Sequence, residues 1–164
     1  MVKVSLNDAT RVGLALRRFS LANNLLRTTM AERLPINVSE LIVMIQLAES
    51  DHQTPTQLAR MLNVTTASVT VQVDHLDAAG FVYRTPSTSD RRSFVLSLTP
   101  AGTLLMQQLE EQFRTAITEA FQHSEPPFAP QIASFLERVS QTLVDLAHTD
   151  PEQGPHPTNQ QPMR

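Results

Sequence analysis

The chain of 164 residues has no cysteine, only four glycines and no long unbroken apolar run. Without cysteine there is no disulfide, no thiolate zinc site and no cysteine-based redox sensing. The glycines form no phosphate-cradling loop. The longest apolar stretch, Leu41–Ala48, is interrupted by Gln46. It falls far short of the ~20 residues of a membrane span and reads as a buried helix. No charged-then-apolar signal opens the chain, so a cytoplasmic protein without membrane association is expected. The histidines His52, His75, His123, His148 and His156 include no i, i+4 pair of the kind that holds a metal on a helix. No nucleophile elbow or comparable catalytic motif is present. No metal, no cofactor and no enzymatic activity are therefore expected.

What is there is an ordinary globular composition, 41% hydrophobic and 18% charged, long enough to bury a core. The net charge of -3 hides an asymmetry. Lys3, Arg11, Arg17, Arg18, Arg27 and Arg33 face only Asp8 and Glu32 in the first 36 residues, whereas the segment after Gly102 is acidic. Between them stand Arg60, Arg84, Arg91 and Arg92. A mildly acidic protein still binds nucleic acid when its basic groups share one face, because binding follows the local field.

Apolar residues at helical spacing (Val12, Leu16, Phe19, Leu26, Met30) predict a first helix over about 8–33, broken by Pro35 and Asn37. Ser39 is the expected N-cap of a second helix, Glu40–Ser50. In TPTQLARML, Thr54 caps, Pro55 takes the first helical position and Gln57 completes a capping box. Asn63 can close that helix in the left-handed conformation. Thr65 then caps a fourth helix reaching Ala79, and Gly80 stops it. Two short helices about three residues apart are the sequence form of a helix-turn-helix. Its expected core is Leu58, Ala59, Leu62, Val64, Val69, Val73 and Leu76. The opposite face of the second helix shows Ala67, Thr70, Val71 and Asp74, with Thr66 at its margin. Small groups there allow close approach to base edges.

Two strands follow, from Phe81 and from Ser93, joined by the loop PSTSDRR. The fold class is thus mainly α with a small β-hairpin wing. The hairpin tip lies beside the recognition helix, which would set Arg91 and Arg92 over the adjacent minor groove, with Asp90 holding the Arg92 fork. Arg84 would pair with Asp90 or with a phosphate. A long helix runs from Gly102 to about His123, and a last helix begins at Phe128. The expected organisation is an N-terminal dimerisation helix over 1–36, a winged helix-turn-helix lobe over 37–102, dimerisation helices over 103–148, and a disordered tail over 149–164. The outer helices have too little of the lobe to pack on, so a homodimer is expected.

The wing and the helix after it carry Asp90, Arg92, Leu98, Thr99 and Gly102 at the spacing Asp-x-Arg-x5-Leu-Thr-x-x-Gly. With Val69, Thr70, Val73, Asp74, Leu76, Gly80, Val82 and Arg84 upstream, the chain resembles the MarR family of multiple antibiotic resistance regulators. The resemblance implies a homodimer with interleaved terminal helices on a pseudo-palindromic, double-stranded operator. It implies a repressor released by a small phenolic or other amphipathic effector bound between the dimer helices and the DNA-binding lobe. The residues it assigns to DNA are Thr65, Thr66, Ser68, Thr70, Val71, Arg84, Asp90, Arg91 and Arg92. Many relatives carry arginine at Val71 and a basic residue at His75. Val71 alone supports a rival reading, a winged-helix protein-interaction module without DNA binding. Met30, Met44, Met61 and Met106 read as core, and Arg17 or Arg18 as a partner for a ligand carboxylate.

Overall fold

The computed structural model describes residues 5–50, 52–87, 94–122 and 129–148. The expected hairpin tip with Asp90, Arg91 and Arg92, the start of the last helix at Phe128 and the tail after residue 148 lie outside the described residues. The chain divides into two compact units, Met1–Arg114 and Thr115–Arg164.

Helix α1 spans Leu6–Ala31, starting two residues earlier than its apolar spacing suggested because the Ser5 side chain accepts from the Asp8 backbone N–H. Helix α2 spans Val38–Glu49, and its N-cap is Asn37, not Ser39. Asn37 Oδ1 accepts from Glu40 N at 3.0 Å while Glu40 Oε2 accepts from Asn37 N at 2.8 Å. That reciprocal pair satisfies two helix-end donors at once, which a Ser39 cap would not.

Helix α3 spans Pro55–Leu62 behind the expected Thr54–Gln57 capping box. Asn63 closes it at φ 53°, ψ 46°. Asn63 N–H reaches Arg60 O and Val64 N–H reaches Ala59 O, the paired bonds of a Schellman motif. Helix α4 spans Thr66–Ala78 behind the Thr65 cap. It ends in a second motif of the same kind: Gly80 at φ +77°, Gly80 N–H to Asp77 O and Phe81 N–H to Leu76 O.

Strands β1 (Val82–Pro86) and β2 (Phe94–Leu98) pair antiparallel from Val82↔Leu98 to Pro86↔Phe94. Pro86, expected in the loop, closes the described ladder instead; a proline is tolerated there because an edge position needs no N–H. Leu96 N–H also donates to Gln53 O at 2.8 Å, tying the wing to the turn before α3. Helix α5 spans Pro100–Gln122 and α6 spans Ala129–His148.

The core is continuous from α2 through the wing. Leu41, Met44, Leu47, Leu58, Val69, Val73, Leu76, Val82 and Leu96 are buried, with Leu105, Met106 and Leu109 of α5 closing it. Val64 and Met61, expected inside, are exposed, and Leu62 is only half-buried. Val64 stands in the turn between the helices, where no helical period applies, and Met61 lies on the side of α3 turned away from Leu58, Ala59 and Leu62.

Candidate nucleic-acid interface

The base of the wing is built around one carbonyl. Phe81 O accepts the Thr99 N–H at 2.9 Å. Thr99 Oγ1 donates to Gly80 O at 2.7 Å and accepts from Gly102 N at 3.1 Å, so it caps α5 and binds the end of α4 together. A Cβ at Gly102 would stand 2.2 Å from Phe81 O. Leu98, Thr99 and Gly102 therefore form the joint between α4, β2 and α5, and this half of the sequence signature serves architecture.

Arg84, on β1, bonds Asp74 on α4, and its Nε lies 3.5 Å from Asp77 Oδ2. Its guanidinium carbon also sits 5.0 Å from the Phe94 ring centroid on β2, within cation–π range. This one side chain joins both wing strands to the recognition helix. It also offsets two carboxylates in the last turns of α4, where the helix dipole disfavours negative charge. Asp77 was not foreseen as part of the site, although its place three residues after Asp74 puts both acids on one side of the helix.

The other flank of α4 is held by a buried carboxylate. Glu40 is 2% exposed, and its Oε1 lies 3.0 Å from His75 Nδ1. The same side chain thus caps α2 and ties it to α4. His75, read from the sequence only as a departure from a basic position, is an anchoring residue.

The remaining α4 positions fall as follows. Thr65 is spent as the cap, accepting from Ser68 N at 3.1 Å. Ser68 is half-buried, with its Oγ taking the Gln72 amide at 3.3 Å. Thr70 Oγ1 donates to Thr66 O at 2.9 Å. Thr66, Ala67 and Val71 are exposed, Val71 at 58%. The structure brings Thr66, Ala67 and Val71 onto one open face, with half-buried Thr70 among them and the wing beside it.

A cleft of about 650 Å³ lies away from that face, between α1, α2 and α5. Ile45, Leu47, Met106, Leu109 and Phe113 line it, with Arg27, Glu49 and Glu110 adding charge. Arg27 Nε is buried and finds no hydrogen-bond partner among the described residues. The arginine at this cleft is thus Arg27; Arg17 and Arg18 are exposed on α1.

Two capped helices joined by a three-residue turn, the second clamped to a paired hairpin, define a winged helix-turn-helix domain. Residues 36–94 match the model of the MarR family. The chain is 34% identical over 104 residues to the HTH-type transcriptional repressor YetL of Bacillus subtilis, covering 60% of this chain and 62% of that protein. The chain spans less than two thirds of the length of the curated relatives it matches. Its fold is similar to that of a MarR transcriptional regulator from Methanosarcina mazei, with TM-score 0.67 and 18% identity, over 84% of this chain and 99% of that one. It is likewise similar to FabT of Streptococcus pneumoniae, solved in complex with DNA, at TM-score 0.62 and 27% identity over 85% of this chain and 99% of that one.

Proposed function

We propose that this protein is a sequence-specific DNA-binding transcriptional regulator: a homodimeric, cytoplasmic repressor of a pseudo-palindromic operator. The observation that carries this reading is the exposed α4 face of Thr66, Ala67 and Val71, with half-buried Thr70, held beside the wing by Arg84. Each α4 enters a major groove and each wing an adjacent minor groove, with half-sites about 34–36 Å apart. Arg91 and Arg92 supply phosphate or minor-groove contact, and Asp90 orients Arg92. The match to proteins named as transcriptional regulators agrees with this.

The dimer reading rests on apolar surface left open. Leu21 and Leu25 of α1 are 70% and 68% exposed, and Leu143 and Leu146 of α6 are comparably bare. The cleft suits a small phenolic or amphipathic effector, with an apolar lining for its ring and Arg27 for its polar end. Such a ligand releases DNA only through its differential affinity for the two dimer conformations.

The test is binding of the purified protein to DNA upstream of its own gene across a salt series, with Arg92→Ala alongside and unrelated DNA as competitor. Wild type is expected to bind specifically. The variant is expected to bind more weakly, with a salt slope shallower by about one unit. If neither exceeds binding to competitor, and selection from random sequences yields nothing, the interaction-module reading takes over.

A further inference from the structure

The recognition helix of this chain has almost no means of reading bases by hydrogen bonds. Thr66–Ala78 contains no lysine, arginine or asparagine, the residues that make many of the bidentate contacts to guanine and adenine. Apart from the exposed Thr66, most of its polar groups are engaged within the protein. Thr70 gives its hydroxyl proton to Thr66 O, Gln72 gives an amide proton to Ser68, and Thr65 caps the helix. Asp74, whose carboxylate could otherwise accept from cytosine, is bonded to Arg84. His75 turns toward Glu40.

On a 100° wheel the middle of the open face belongs to Ala67 and Val71. The acid–Arg84 clamp flanks them on one side, and the His75–Glu40 contact on the other. Both side chains end in methyl groups, and both stand in the first two turns, the part of a recognition helix that reaches base edges. The base feature that methyl groups recognise in the major groove is the 5-methyl of thymine.

Resting on the regulator reading above, we propose that this protein selects its operator by thymine methyl groups, with Val71 the principal specificity residue and Ala67 its neighbour. Methyl contact supplies the choice of sequence. The valine that stands in place of a cation is then the reader itself. The Arg84 clamp has a second use here, since it keeps the Asp74 carboxylate from offering cytosine an alternative.

The test uses the full chain and deoxyuridine, which lacks the 5-methyl but keeps the pairing and hydrogen-bonding edge of thymine. The operator is first obtained by selection from random-sequence duplexes. Each recurrent half-site thymine is then replaced symmetrically by deoxyuridine, and affinity is measured by fluorescence anisotropy for wild type and Val71→Ala. At least one pair of replacements is expected to weaken wild type roughly tenfold to twentyfold, about fourfold per buried methyl. The same replacement is expected to cost Val71→Ala less than twofold. Specific binding with no deoxyuridine effect, or an equal effect in both proteins, overturns the proposal while the regulator reading stands. Failure of the selection to yield any preferred sequence removes the regulator reading itself, and this inference with it.

Discussion

Two glycines in this domain are required for different reasons. Gly80 adopts φ +77° with open space around it, so its constraint is conformational. Gly102 lies in ordinary helix, but a Cβ would collide with the Phe81 carbonyl, so its constraint is spatial. Asparagine tolerates the left-handed region better than alanine does. We expect Gly80→Ala to cost about 1–2 kcal/mol and Gly80→Asn less. At Gly102 the order reverses: Ala costs about 1–3 kcal/mol, and the larger Asn more. Thermal unfolding of the four variants checks both statements, and a Gly102→Asn protein as stable as wild type would refute the close approach.

Among the elements, the wing is held to α4 through Arg84 and to the turn before α3 through the Gln53–Leu96 bridge. Asp74 and Asp77 are about half exposed, so water screens the ion pairs. Arg84→Ala should therefore change stability by no more than about 1 kcal/mol. Its effect on DNA affinity should be larger, because two uncompensated carboxylates would then stand near the phosphates. Adding Asp74→Ala to Arg84→Ala should recover part of that loss. Anisotropy titrations of the two single variants and the double variant form the cycle. No recovery would mean that Arg84 touches DNA directly.

For the whole molecule the question is what covers the outer helices. Exposed leucines are unremarkable singly, yet α1 presents Leu6, Leu14, Phe19, Leu21 and Leu25 along one helix. On the homodimer proposed above, replacing both Leu21 and Leu25 with Glu should convert dimer to monomer in sedimentation velocity. It should also weaken operator binding by orders of magnitude, because linking two half-site contacts multiplies their affinities. Retention of the dimer would place the interface elsewhere. Unchanged affinity in a monomer would show that one subunit suffices.

The helix-turn-helix was legible in the sequence because its punctuation is local. Thr54 with Gln57, Asn63, Thr65 and Gly80 each act within a few residues, and each does what its position suggested. Ser39 was the expected cap of the second helix; the cap is Asn37, because Glu40, buried beneath His75, bonds back to it. The outcome for Arg84 was likewise tertiary: its acids lie on a helix that the hairpin must fold back to meet. Val64 stands in a turn, where no helical period places it, and Met61 lies off the buried face of α3, so both are exposed. Local hydrogen-bonding geometry, which needs only the residues it joins, was determined by the sequence itself. Tertiary structure decided that Asp74, Asp77 and His75 of α4 are engaged, since their partners come from β1 and α2.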